Sequence, residues 1–122
     1  MERIESHRDL VVWQKAMDLA VNVYNLCSSL PSDERFRLTS QITRAASSVP
    51  ANIAEGHARA SRRDYAHFLA IAKGSLMETE TFLTLAVRLQ YLSNGQAAEA
   101  QRLITEISKM ITAIRRKLTG KG

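Results

Sequence analysis

From Leu10 to about Leu30 the apolar positions Val12, Trp13, Ala16, Leu19, Ala20, Val23, Leu26, Cys27 and Leu30 recur every three or four residues. That is the spacing of one helical face. Asp9 stands where an N-cap belongs, and Pro31-Ser32-Asp33 ends the run. Leu38, Ile42, Ala45, Val49, Ile53 and Gly56 predict a second helix over about 36–60. A third, over about 62–92, carries Tyr65, Phe68, Leu69, Ala72, Leu76, Phe82, Leu83, Ala86 and Leu89. Ser61 and Asp64 open it as a short-armed capping box. After the turn signal Ser93-Asn94-Gly95, a fourth helix over about 96–118 carries Ala100, Leu103, Ile104, Ile107, Met110, Ile111, Ile114 and Leu118. No useful stretch alternates with period two. Short connections make successive helices antiparallel neighbours. The pattern therefore predicts an all-α fold, an antiparallel up-down-up-down four-helix bundle forming a single domain over 1–122.

The second helix holds unusual chemistry. Pro50 lacks an N–H and crowds the carbonyl of Ala46, so one continuous helix kinked at Pro50 is expected. The small residues 45–48 reduce the crowding, and a serine hydroxyl can take the freed carbonyl. At about 100° per residue, Gln41, Arg44, Ser48, Asn52, Glu55 and Arg59 fall in a strip roughly 80° wide beside the apolar stripe. A polar ladder flanking a core needs partners. On the third helix Glu78 lines up with Ile71, Ser75, Phe82 and Leu85, and Arg44 is its candidate partner. Gln41, Arg44, Ser48, Asn52, Glu55 and Glu78 are expected to form a structural ladder, shielded and mutually bonded within or between subunits. The third helix is apolar on two sides, Tyr65/Leu69/Leu76/Leu83 and Ile71/Phe82/Leu85/Leu89. One bundle does not cover both, so a homo-oligomer is expected.

Charge adds a second theme. The formal net charge of +5 is concentrated in residues 35–73, where seven cations (Arg35, Arg37, Arg44, Arg59, Arg62, Arg63, Lys73) face only Glu55 and Asp64. A second cluster, Lys109, Arg115, Arg116, Lys117 and Lys121, follows Glu106, the last acid. In the expected bundle, the start of helix one, the turn between helices two and three, and the end of helix four share one end. That end gathers Arg8, Arg59, Arg62, Arg63, Arg115, Arg116, Lys117 and Lys121 against Glu5, Asp9 and Asp64. Helix-dipole complementation accounts for Arg59 and Arg115–Lys117 but not for Arg62 and Arg63 in a first turn. Such an end suits phosphates, so Arg8, Arg59, Arg62, Arg63, Arg115, Arg116 and Lys117 form a candidate nucleic-acid-binding face.

Enzymatic signals are missing. There is no phosphate loop and no Gly-x-Ser-x-Gly elbow. Asp64-x-x-His67 is the sole carboxylate–histidine pair at di-metal spacing, and His7 and His57 complete no ligand set. The lone Cys27 sits on an apolar face as core. The expectation is a protein with no catalytic residues, no metal and no cofactor. No apolar run approaches the roughly 20 residues of a membrane span. The charged start "MERIESHRD" and the single cysteine suggest a cytoplasmic protein without membrane attachment.

Three stretches carry a resemblance: "DLVVWQKAMDLAVNVY", "LTSQITRAASSVPANIAEGHAR" and "FLAIAKGSLMETETFL". They resemble the small bacterial proteins encoded in intervening sequences of 23S ribosomal RNA genes, over roughly residues 8–118. The tract from Gln41 to Gly56 and the trio Gly74, Ser75 and Glu78 are the matching segments. The resemblance implies a four-helix bundle assembled as a ring-shaped homopentamer. It also implies kinship with the accessory protein of diversity-generating retroelements, a pentamer that binds nucleic acid and a reverse transcriptase. Two functions follow as expectations. The first is an oligomeric accessory protein that binds RNA or DNA through its basic face, associated with rRNA intervening sequences. The alternative is an oligomeric scaffold that binds a protein partner and no nucleic acid.

Overall fold

The computed structural model describes residues 4–120. Its α-helices are α1 (Val11–Leu26), α2 (Leu38–His57), α3 (Arg62–Arg88) and α4 (Asn94–Thr119), and no strand occurs among the described residues. α1 packs chiefly against α2 and α4, and α3 against the same two. Contacts across the α2–α3 and α3–α4 seams run in opposite order along the two helices. Between α2 and α3, Ser48 meets Ser75 and Gly56 faces Tyr65 and Phe68. Between α3 and α4, Ala66 pairs with Arg115 and Lys73 with Thr112. Between α1 and α4, Lys15 pairs with Glu106. The apolar stripes meet in one core, in which Leu19, Val23, Val49, Ile53, Leu69, Leu76, Leu83, Ile104, Ile107 and Ile111 are fully buried. No helix among the described residues is long and apolar enough to cross a membrane.

Several boundaries differ from the periodicity, each for a local reason. α1 stops at Leu26, because its last turn tightens into a 3-10 turn at Cys27–Ser29 and Leu30 is extended. Asp9 does not cap α1. Its carboxylate accepts from the backbone N–H of Glu5 (2.9 Å) and Ser6 (3.2 Å), completing a capping box on the 3-10 turn His7–Asp9. Those two bonds hold the Asp9 carboxyl below its usual range. α2 begins at Leu38 rather than near Phe36, after a 3-10 turn at Ser32–Glu34. There the buried Glu34 accepts from Tyr91 Oη at 2.8 Å and pairs with Arg37 Nε at 3.4 Å. Glu34 thereby ties the α1–α2 connection to the end of α3 and leaves Phe36 84% exposed.

α2 ends at His57 and α3 at Arg88, each earlier than the pattern predicts. The α3 end is a Schellman motif: Gln90 takes the left-handed conformation (φ 65), its N–H bonds Val87 O, and Tyr91 N–H bonds Ala86 O. α4 starts two residues early, capped by Ser93, whose side chain accepts from Gln96 N–H while Gln96 Oε1 accepts from Ser93 N–H. At the α3 start, Ser61 Oγ accepts from Asp64 N–H at 3.0 Å. α2 passes through the buried Pro50 without a break. The nearby serine bond falls on a different carbonyl from the one expected: Ser47 Oγ donates to Arg44 O at 3.2 Å.

Candidate nucleic-acid interface

α3 opens where α4 closes. The first turn of α3 presents Arg62 and Arg63, and the last turns of α4 present Arg115, Arg116 and Lys117. Arg62 reaches across, with Nε donating to Leu118 O at 3.3 Å and Nη2 to Lys117 O at 2.5 Å. It therefore satisfies terminal carbonyls of α4, where the helix dipole favours a cation. That tertiary contact is why an arginine tolerates the first turn of α3. Arg115 Nε donates to Ala66 O at 3.2 Å in the opposite direction. Three turns along α3, Lys73 Nζ donates to Thr112 Oγ1 at 2.8 Å.

Two adjoining hollows open along this seam. One is lined by Lys73, Thr112, Arg115, Arg116 and Thr119, the other by Arg62, Arg63, His67, Arg115, Leu118 and neighbouring small residues. No carboxylate lines either. Elsewhere, four cations meet acids, while Arg8, Arg35, Arg44, Arg88 and Lys109 stand singly without an ion pair among the described residues. Lys15 and Arg102 both hold Glu106, Arg102 also holds Glu99, and Arg37 holds Glu34. The bond from Lys15 and the charge of Arg102 keep Glu106 below the usual carboxylate range. Arg62, Arg63, Arg115, Arg116 and Lys117 make no ion pair among the described residues.

The other predicted face residues are placed differently. Arg59 pairs with Glu55 at 3.3 Å and lies 4.7 Å above the Phe68 ring, on the α2 side of α3. Arg8 is exposed in the turn before α1. Lys121 lies outside the described residues. The structure thus brings Arg62, Arg63, Arg115 and Arg116 together along the α3–α4 seam, and adds Lys73. The sequence signal for Lys73 is its helical phase: at about 100° per residue it falls within roughly 20° of Arg62.

The polar ladder divides in two. Asn52 Nδ2 donates to Ser48 O (2.8 Å) and Ser48 Oγ (2.9 Å), and Ser48 Oγ meets Ser75 Oγ at 2.8 Å across the α2–α3 seam. Gln41, Arg44, Glu55 and Glu78 are exposed, and Arg44 and Glu78 form no ion pair. Within a single chain the six residues do not form one shielded network. Ser48 and Asn52 are held by each other and by Ser75 of α3, while the other four side chains reach solvent. Ser75→Ala is expected to cost about 0.5–1.5 kcal/mol, the net worth of one hydrogen bond. Urea unfolding should show a lower midpoint with an unchanged slope.

Other reactive groups have structural surroundings. His57 packs edge-on to Tyr65, His67 to Phe68 and His7 to Trp13. No cluster of His, Cys, Asp and Glu suited to a metal occurs among the described residues. Cys27 is half-buried, and burial pushes its thiol above the ordinary range, away from the reactive thiolate.

Fold and seam together define a small four-helix protein with cations gathered along one helix pair. The chain belongs to the family described as the 23S rRNA-intervening sequence protein, which matches residues 8–113. It is also similar to a Bacteroides thetaiotaomicron protein of unknown function from the S23 ribosomal protein family. That crystal structure superimposes with a TM-score of 0.80 at 34% identity, covering 87% of this chain and 99% of that one. A search of curated proteins finds no match.

Proposed function

We infer that the chain is a non-enzymatic, homo-oligomeric accessory protein of the cytoplasm. Its basic end, centred on Arg62, Arg63, Arg115, Arg116 and Lys117, binds the phosphate backbone of RNA or DNA. The observation that carries this reading is the cluster Arg62, Arg63, Arg115, Arg116 and Lys117, which has no carboxylate partner among the described residues. Concentrated, uncompensated positive charge favours phosphates and releases their counterions. Assembly is supported by uncovered apolar side chains on two helices: Ile71, Leu85 and Leu89 on α3, Val21 and Tyr24 on α1. Two unlike patches on one chain suit a head-to-tail contact that closes into a ring. The family resemblance favours five subunits.

The test is fluorescence anisotropy with a labelled structured RNA. Affinity is expected to fall steeply between about 50 and 200 mM salt. Arg63→Glu with Lys117→Glu is expected to weaken binding at least about tenfold, with circular dichroism and sedimentation unchanged. Arg62 is left in place because it holds the last carbonyls of α4. No binding at low salt, or equal affinity in the double variant, would remove the reading. A second reading, a scaffold for a protein partner, is favoured by Phe36, which lies exposed beside Phe82, Leu85 and Leu89. Under that reading the charge reversals change nothing and Phe36→Ser abolishes the partner contact.

A further inference from the structure

We propose that the α3–α4 seam is a track for one backbone strand of a nucleic-acid duplex, with Lys73 as its anchor beyond the basic end. The proposal rests on the nucleic-acid reading above and narrows it to a surface and a substrate form.

The first argument is how the cations are held. Arg62 and Arg115 are positioned by backbone carbonyls and Lys73 by the Thr112 hydroxyl, all neutral groups. A carboxylate would fix a cation and cancel its charge, whereas a neutral oxygen fixes Lys73 and Arg115 and leaves their charge; Arg62 alone meets the partial negative charge of a helix end. Donors also remain: Arg115 spends only Nε on Ala66, and Lys73 has two more N–H groups. Thr112 Oγ1 accepts from Lys73, so its own proton is available to a phosphate oxygen. Side chains already ordered by such contacts lose less freedom on binding.

The second argument is shape. The two hollows share Arg115 and Thr119, so they form one continuous surface rather than separate sites. Arg62 and Lys73 lie eleven residues apart on α3. At about 1.5 Å per residue that is roughly 16 Å of helix. The phosphates of one duplex strand rise about 3.4 Å per step along the duplex axis and also wind around it, so the seam meets fewer than about five of them.

The lining of the seam favours a duplex over a single strand. Grooves that hold single strands pair positive charge with aromatic platforms on which bases stack. The seam is lined by no Phe, Tyr or Trp. The nearby aromatic rings Tyr65 and Phe68 pack toward α2 around Gly56. A surface that grips phosphates and offers the bases one ring, His67, itself packed edge-on to Phe68, is matched by a ligand whose bases are already paired and whose phosphates are regularly spaced.

The test uses the full chain and a labelled RNA duplex of about 20 base pairs, in two unrelated sequences, with an unstructured single strand of equal length, over about 50–200 mM salt. The wild type is expected to bind both duplexes equally, and at least about tenfold tighter than the single strand. Lys73→Gln is expected to weaken both duplexes by the same factor and to reduce the slope of log affinity against log salt by about one. Lys73→Arg should retain both properties, which separates lost charge from lost folding. An unchanged slope in Lys73→Gln/Arg116→Gln would overturn the seam. If Arg63→Glu/Lys117→Glu still weakens binding, the basic-end reading survives that result. Tighter binding of the single strand would overturn the duplex assignment. Absence of all binding would overturn the seam and the underlying function together.

Discussion

Gly56→Ala is expected to lower the melting temperature by several degrees, and Gly74→Ala to raise it slightly. Both glycines lie inside helices, where alanine is the better helix former by up to about 1 kcal/mol. Their surroundings decide the sign. A Cβ on Gly56 would stand 2.8 Å from Phe68 Cβ, 3.1 Å from Tyr65 Cδ1 and 3.2 Å from the Tyr65 carbonyl oxygen. The Phe68 Cβ and the carbonyl move only with the α3 backbone, so the two helices must part. Overpacking of this kind costs about 1–3 kcal/mol, more than the propensity gain. For a chain of this size each kcal/mol corresponds to a few degrees. Gly74 has no atom within 4 Å of its virtual Cβ, so only the propensity gain remains. Differential scanning calorimetry of both variants checks the pair. An increase for Gly56→Ala would mean that α2 and α3 are not held this close. The glycine in "VPANIAEG" is thus a contact point between helices, not a helix breaker.

The four helices follow from periodicity because the signal for each is spread over many residues, and no single substitution dominates it. Their ends do not, because each end rests on one or two atoms. The α3 end is the clearest case: the left-handed position of its Schellman motif is Gln90, where glycine is the usual marker. The Glu34–Tyr91 bond joins residues far apart in the chain, so no local pattern could announce it. The ladder shows a different limit. Helical phase correctly separates a strip from the core stripe, but it does not say how far a neighbouring helix extends over that strip. Ser48 meets Ser75 of α3 and holds Asn52, while Arg44 and Glu55 are exposed. Arg62 is the case with most consequence for function. Read against the dipole of its own helix its charge looks misplaced. The helix that explains it is α4, whose last carbonyls it binds. Phosphate contact therefore falls to Arg63, Arg116, Lys117 and Lys73 and to the remaining donors of Arg115, while Arg62 chiefly serves the fold.

Leu85→Glu with Leu89→Glu is expected to leave a folded chain that no longer assembles. In the single chain Leu85 is 42% and Leu89 46% exposed, so neither supports the core. Both positions lie on helical backbone or its cap, and glutamate is a good helix former. Secondary structure and melting of the dissociated chain should change little. Between subunits the effect is large. Fully burying a leucine is worth about 1.5–3 kcal/mol, so two nearly half-exposed leucines lost from one contact remove roughly 1–3 kcal/mol before any charge is considered. Two carboxylates forced against an apolar partner surface add a desolvation cost of similar size or more. A combined loss of about 4–6 kcal/mol corresponds to a reduction of roughly a thousandfold or more in association at each contact. Sedimentation equilibrium at micromolar protein is expected to show an oligomer for the wild type and a monomer for the variant. RNA affinity should fall with it although no basic residue has changed, since a ring offers one long ligand several copies of the seam at high effective concentration. An unchanged oligomer in the double variant would show that α3 does not supply the contact. A monomer that binds RNA as tightly as the wild type would show that one seam suffices without the ring.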